Sequence, residues 1–323
     1  MQKIDIVIAW VDGADPILSQ KRQQYLTGEV PKDAVSETRF ASNHELYYAI
    51  ASILKYVPFA GTIYIVTDHQ KPQFIDEFAQ QGLCAEDKIQ VIDHQVLFSG
   101  YGTYLPTFNS LSIETMLWNI PNLSENFIYM NDDFFFNSDA ELTDFITEDD
   151  SIKVYGHWQS NFVVKTKYLW RKWRAGSKKR EPKYTVAQML SADMIGLSRY
   201  YEIHHRPHIL KRSVLAEYFK QHSEQLFEQI KHRFRDADQF LPVGLCNHLS
   251  IKAGKAELLP DLDIAYLKNS KVLDAFLNDV DNAKSKFGCI QSLDQFESQL
   301  AQKVSTMMQN KFKNFLPHSL IVN

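Results

Sequence analysis

Phe127-Ile128-Tyr129-Met130-Asn131-Asp132-Asp133-Phe134-Phe135-Phe136 runs four apolar or aromatic residues into Asn-Asp-Asp and follows them with three phenylalanines. A short apolar run bounded by turn-forming residues reads as a buried central strand. Two adjacent carboxylates at the end of such a strand are costly to bury without a cationic partner. A divalent cation carrying a nucleotide diphosphate is one such partner, because hard cations take carboxylate and phosphate oxygens together. The plainer alternative is a turn and a helix cap, and this stretch alone does not choose between them.

Upstream, Ile4-Asp5-Ile6-Val7-Ile8-Ala9-Trp10-Val11 is nearly continuous and β-branched, the pattern of a central parallel strand. It ends in Asp12-Gly13-Ala14-Asp15-Pro16, a turn by composition and, at a strand's carboxyl end, a place to expect a nucleotide. A helical stretch over 17–25 follows. Arg39 and Asn43 introduce a helix over 45–56, with Leu46, Ala49, Ile50, Ile53 and Leu54 as its apolar stripe and Pro58 as its stop. A strand over 62–68, a helix over 73–81 and a strand over 88–93 complete a βαβ pattern, which predicts a Rossmann-like α/β fold with a mostly parallel sheet. No G-x-G-x-x-G follows any of these strands, which argues against a dinucleotide dehydrogenase. Leu105-Pro106-Thr107-Phe108-Asn109-Ser110 precedes a helix over 111–119, with Glu114 one turn below Ser110; Asn109 also suits a helix cap.

Downstream, 140–145 reads as a short helix, and Lys153-Val154-Tyr155 and Phe162-Val163-Val164 as strand-like pieces. Residues 170–183 are rich in Trp, Lys and Arg and read as a solvated loop; an anionic membrane face or a phosphorylated acceptor are the partners such a cluster would suit. His204-His205-Arg206-Pro207-His208 is expected to open a helix over 210–222, with further helices over 224–234 and from 270 to about 314, interrupted near Phe287-Gly288-Cys289. The reading is one domain over 1–323: an α/β core over 1–165 and a mainly helical part over 166–323.

Composition narrows the classes. A hydrophobic fraction of 45% supports a sizeable core, and a net charge of -4 suggests no nucleic-acid partner. Cys84, Cys246 and Cys289 are an odd, widely spaced set without C-x-x-C, which favours reduced thiols over disulfides or a zinc site. The residues after Met1 enter a strand-like run without the pattern of a signal peptide, and no apolar run approaches a membrane span. The expected location is the cytoplasm, or the inner face of the cytoplasmic membrane.

Together these pieces resemble the Stealth family of sugar-phosphate transferases, which includes bacterial capsule and exopolysaccharide polymerases and the lysosomal-enzyme N-acetylglucosamine-1-phosphotransferase. Residues 4–16 resemble the family's first region, 39–70 with 105–136 the second, and His205-Arg206-Pro207-His208 with His232-Arg233-Phe234-Arg235 the third. The fourth departs: the family reads Cys, an aliphatic residue, then Asn-Asp, where this chain has Cys289-Ile290-Gln291-Ser292, with Asp294 as a possible substitute. The resemblance implies a GT-A-like fold. It also implies transfer of a hexose-1-phosphate or N-acetylhexosamine-1-phosphate from a UDP-sugar to a hydroxyl of a saccharide or growing surface polysaccharide, releasing UMP. Asp132 and Asp133 would hold Mg²⁺ or Mn²⁺, with Asp133 also catalytic. His208, following the proline, matches the family's base, and Arg235, with Arg233 second, would grip the phosphate oxygens. Trp10, Asp12, Asp15, Arg39, Asn43 and Asn109 would meet the donor. A metal-dependent glycosyltransferase releasing UDP, or a non-catalytic nucleotide-sugar-binding module, are the alternatives.

Overall fold

The computed structural model describes residues 3–26, 44–176, 178 and 180–321. Its centre is a five-stranded sheet of order β3-β2-β1-β4-β9, built from β1 (Ile4–Ala9), β2 (Ala60–Thr67), β3 (Ile89–Asp93), β4 (Asn126–Asn131) and β9 (His208–Lys211). The first four are parallel and β9 runs antiparallel to β4, pairing His208 with Tyr129. β1 and β4 read as near-continuous apolar runs because both are covered on two faces, and Ile6, Val7, Ile8, Phe127 and Ile128 are fully buried. Their registers align Ala9 with Val66 on one side and Asn131 on the other, so the strands end at one level. The α/β, mostly parallel reading therefore holds.

The connections of the first half are α1 (Pro16–Gln24), α2 (Glu45–Tyr56), α3 (Glu77–Gln80), α4 (His94–Leu97) and α5 (Ser110–Met116). The stripe of α2 lies against the core, where full burial of Leu46, Ile50 and Ile53 contributes on the order of 2 kcal/mol each.

The second half is less helical than its composition predicts. A three-stranded sheet sets β12 (Phe287–Ile290) between β11 (Ala265–Leu267) and β5 (Phe134–Phe136), where a long helix was expected to be merely interrupted. Gly288 permits this pairing: a Cβ there would lie 2.1 Å from Cζ of Phe135. β10 (Ala256–Leu259) pairs with β6 (Ile152–Tyr155), and β7 (His157–Ser160) with β8 (Arg199–Glu202). Leu210 lies in β9 and not in a helix, and the short helix at 140–145 contracts to one 3₁₀ turn at Leu142–Asp144. The remaining helices are α6 (Asn161–Ala175), α7 (Tyr184–Asp193), α8 (Arg212–Gln221), α9 (Ser223–Ile230), α10 (Pro242–Lys252), α11 (Leu273–Asn282) and α12 (Ser298–Phe312). Two expectations fall at α6: Phe162-Val163-Val164 is helical, not extended, and the first part of the basic cluster is helix, not loop. Tertiary packing of one face of α6 overrides the local β-propensity of the two valines.

Candidate active site

A cleft of about 600 Å³ opens at the carboxyl ends of β1, β2 and β4, where open α/β sheets bind ligands. Ala9, Trp10 and Val11 follow β1 into it, Val66 and Asp68 follow β2, and Asn131, Asp132 and Asp133 follow β4. Thr107, Phe108, Ser110 and Leu111 at the start of α5 form one wall. The segment after β12, from Ile290 to Gln295, forms another.

Asp133 is pinned where β4 turns into β5. Its carbonyl accepts from Ile290 N at 2.8 Å, and its Oδ2 accepts from Cys289 Sγ at 3.5 Å. Its other carboxylate oxygen, Oδ1, is buried with no hydrogen-bond partner. Glu45, the buried first residue of α2, faces the same cleft. Burial pushes Asp132 well up, and the neighbouring Asp133 and Glu45 push it further. Burial likewise raises Asp133 to about 7, with Glu45 adding to the rise and the Cys289 hydrogen bond opposing it. Carboxylates raised in this way call for a cation. The donor set is all hard carboxylate oxygen, one of them orphaned, which fits Mg²⁺ or Mn²⁺ completed by phosphate oxygens and water. Two groups of three possible ligands also occur among the described residues: Asp68, His69 and Asp93, of which Asp68 lines the same cleft, and the exposed His157, His204 and Asp261.

Arg235 lines the cleft and donates to Ser110 Oγ. Behind it, the fully buried Glu114 is raised to about 7 by burial, against the pull of Arg235 and of hydrogen bonds from Ser110 and Tyr129. Asn109 organises this corner without touching the cleft. Its Oδ1 caps α5 by accepting from Leu111 N at 3.1 Å. Its Nδ2 donates to the carbonyls of His232 and Phe234 at 2.9 and 3.1 Å and to Gln239 Oε1 at 2.9 Å. The cap reading of Asn109 is correct, and the same side chain fixes the path of the segment bearing Arg235.

The structure separates the remaining predicted residues. Trp10 lines the cleft, its Nε1 buried without a hydrogen-bond partner. Asp12 and Asp15 do not line it: Asp12 Oδ1 accepts from Ala14 N, and Asp15 caps α1 through Ile17 N while accepting from Gln70 Nε2 at 2.9 Å. Arg233 lies over the Tyr25 ring, 4.9 Å from its centroid, outside the cleft lining. Arg39 and Asn43 lie outside the described residues. His208 is also away from the cleft, in a small separate recess with Tyr155, Arg206 and Phe287, its Nε2 donating to the His204 carbonyl at 3.0 Å. Burial holds its pKa well down. The ring that enters the cleft is His205, stacked on Tyr184 at 5.5 Å and met edge-on by Phe134 at 6.1 Å. Burial first, then His204 and Arg235, lower the pKa of His205 and keep its imidazole neutral.

The sequence reading passed over Glu45, and placed the base at His208 and not at His205. The first had one signal, a carboxylate opening an apolar helix, and that is equally a helix-dipole preference. In the fourth region, Gln291, Ser292 and Asp294 all line the cleft, and Gln291 Oε1 accepts from the Tyr266 hydroxyl.

Comparison with known proteins follows this geometry. The model of Stealth protein conserved region 2 matches residues 39–154. The capsular polysaccharide phosphotransferase cps1A of Actinobacillus pleuropneumoniae is 33% identical over 279 residues, 82% of this chain and 70% of that protein. The chain belongs to the Stealth family of bacterial phosphotransferases. A second Stealth relative, the exopolysaccharide phosphotransferase cps2G of Lactiplantibacillus plantarum, is 28% identical over 97% of this chain and 94% of its own length. The cps12A protein of A. pleuropneumoniae is 46% identical, but over 44% of this chain and 37% of that protein. Among solved structures, the bifunctional glycosyltransferase WbbM aligns with 97% of this chain and 51% of its own, at TM-score 0.48 and 10% identity. Galactosyltransferase LgtC aligns with 95% of this chain and 96% of its own, at TM-score 0.45 and 13% identity. At such scores the fold of this Stealth protein rests on its own sheet order.

Proposed function

We propose that this chain transfers a sugar-1-phosphate from a UDP-sugar to a saccharide hydroxyl in the synthesis of a surface polysaccharide. The observation that carries the reading is the convergence of Asp132, Asp133, Arg235 and His205 on one cleft of nucleotide-sugar size at the ends of β1 and β4. The names of the relatives, capsular and exopolysaccharide phosphotransferases, support the reaction class.

In this reading His205, neutral near pH 7, takes the proton of the acceptor hydroxyl. The freed oxygen attacks the phosphorus that bears the sugar. A phosphorus–oxygen bond forms to the acceptor, the bond to the bridging oxygen of UMP breaks, and UMP leaves with the electron pair. Arg235, oriented by Ser110, places its guanidinium where charge grows on the non-bridging oxygens. Asp132 and Asp133 would hold the divalent cation, which neutralises the diphosphate and stabilises the leaving group. Trp10, apolar with one unmatched donor, is suited to the nucleoside. Little covalent work falls to the protein, as expected for phosphoryl transfer dominated by positioning and charge.

The test is a panel of UDP-sugars with Mg²⁺ or Mn²⁺, scored for the nucleotide released. UMP is expected. UDP would instead assign glycosyl transfer at the anomeric carbon. Donor binding without turnover would assign a binding module, the reading that Gln291 and Ser292 in the altered fourth region would favour.

A further inference from the structure

We propose that the outward face of α6 docks this protein onto an anionic lipid bilayer. The helix turns its large apolar side chains to solvent: Trp173 is 80% exposed, Phe162 76%, Trp170 53%, and Val163 and Leu169 about half. Phe162, Leu169, Trp170 and Trp173 stand at i, i+7, i+8 and i+11, one stripe of a helix. The inward side is different. Val164 and Tyr168 pack on Val186, Met189 and Tyr200. Lys165 pairs with Asp193 at 2.7 Å and Lys172 with Asp238 at 2.9 Å. The helix is therefore fixed to the body by one face, and its apolar stripe is not core.

Charge decides the occupant. The fifteen residues of α6 carry five basic side chains and no acidic one, in a chain of net charge -4. Lys167, Arg171 and Arg174 form no ion pair among the described residues, and Arg174 lies 5.2 Å from the Trp170 ring centroid. An apolar stripe with tryptophans, bordered by unpaired cations, is the chemistry of a helix lying in a bilayer interface. Each cation near an anionic surface adds attraction, whereas a second copy of this face would bring like charge against like. A glycan stacked on the tryptophans would leave Phe162 and Leu169 without a use.

The inward face of α6 also packs on the segment that leads into the cleft. Asp238, which binds Tyr168, Lys172 and Arg180, directly follows Asp236 and Ala237 of the cleft lining, and Pro182, Lys183 and Tyr184 line the cleft as well.

The experiment is co-sedimentation of the full chain with phosphatidylcholine vesicles, with and without phosphatidylglycerol, at low and high salt. Binding to the anionic vesicles alone, weakened by salt, is expected, with a blue shift of tryptophan emission. Trp170→Ser/Trp173→Ser changes two exposed positions, and its thermal midpoint should match the parent while vesicle affinity falls at least roughly tenfold. Arg171→Glu/Arg174→Glu should reduce binding to anionic vesicles only. Absence of binding to either vesicle, or equal sedimentation of the tryptophan variant, overturns the proposal. A dimer of the parent that Trp170→Ser/Trp173→Ser dissolves would assign the face to a second copy and overturn it too. None of these readouts depends on turnover, so they stand apart from the proposed reaction.

Discussion

Asp133 and Cys289 meet across the junction of two sheets: the Cys289 thiol donates to Asp133 Oδ2 at 3.5 Å, and the next residue's amide donates to the Asp133 carbonyl at 2.8 Å. β12 thereby fixes the acidic end of β4, which ties the fourth region of the chain to the second. Cys289 is buried and its thiol is pushed well up, by burial first and then by Asp133, so it stays a protonated donor. Cys289→Ala removes that donor and leaves Asp133 Oδ2 without it. Reduced metal affinity, with a loss of about 1 kcal/mol of stability from the buried sulfur and its hydrogen bond, is the expected outcome, measured by Mn²⁺ titration calorimetry and urea unfolding.

Metal loading should depend on pH with a defined sign. Asp133 is raised from 3.8 to about 7, so it is largely protonated below neutrality and becomes a ligand as pH rises. Mn²⁺ affinity of the parent should climb between pH 6 and 8 and level off above. Asp132→Asn/Asp133→Asn should abolish both the binding and the metal-dependent activity while the far-ultraviolet spectrum is retained.

The same shift makes a stability prediction for the metal-free protein. A carboxyl with a raised folded pKa binds more protons folded than unfolded, so its contribution to stability is lost as pH rises from about 4 toward 7. Buried His94 and His248, both lowered to about 4, act in the opposite direction below pH 6.5. The difference between parent and Asp133→Asn isolates the carboxyl. In urea titrations the variant should gain on the parent as pH rises over that window, and added Mn²⁺ should reverse the gain.

The two histidines of the third region should separate cleanly. His205→Ala is expected to lower kcat by roughly 10²- to 10⁴-fold with donor affinity kept, as for loss of a general base. His208→Ala breaks a hydrogen bond to the His204 carbonyl and should cost about 1 kcal/mol of stability with a smaller loss of kcat. Single-turnover rates and donor titrations distinguish them. A larger kcat loss for His208→Ala would return the base to that position.

Much of this site was legible before the structure. β1, β2, β4 and α2 announce themselves through β-branched runs and a 3.6-residue stripe, and of the residues singled out Asp132, Asp133, Arg235 and Trp10 line the cleft. What was hidden depends on chain path. Three histidines fall within 204–208, and the bend before β9 decides which ring enters the cleft; no periodicity encodes that bend. Asp12, Asp15 and Asn109 stand close in sequence to cleft residues, yet one side-chain oxygen of each accepts from a turn or helix-cap amide. α6 was misread because Trp, Lys and Arg together resemble a solvated loop, although its stripe at i, i+7, i+8 and i+11 was present in the sequence.

Asn109 offers a test of positioning as distinct from chemistry. Asn109→Ala loses a helix cap and bonds to three further acceptors, with an expected cost of about 2–4 kcal/mol. At a temperature where the variant is folded, kcat should fall while the pH profile keeps its shape, because Arg235 is misplaced and no titrating group is removed. An altered profile would give Asn109 a different role.

The central claim is that bond cleavage occurs on the phosphorus and not on the anomeric carbon. The most direct measurement uses a UDP-sugar with heavy oxygen in the bridge between the anomeric carbon and phosphorus, followed by mass spectrometry of both products. Phosphoryl transfer predicts the label in the new phosphodiester and none in the released nucleotide, which is UMP. Label recovered in released UDP would contradict the account.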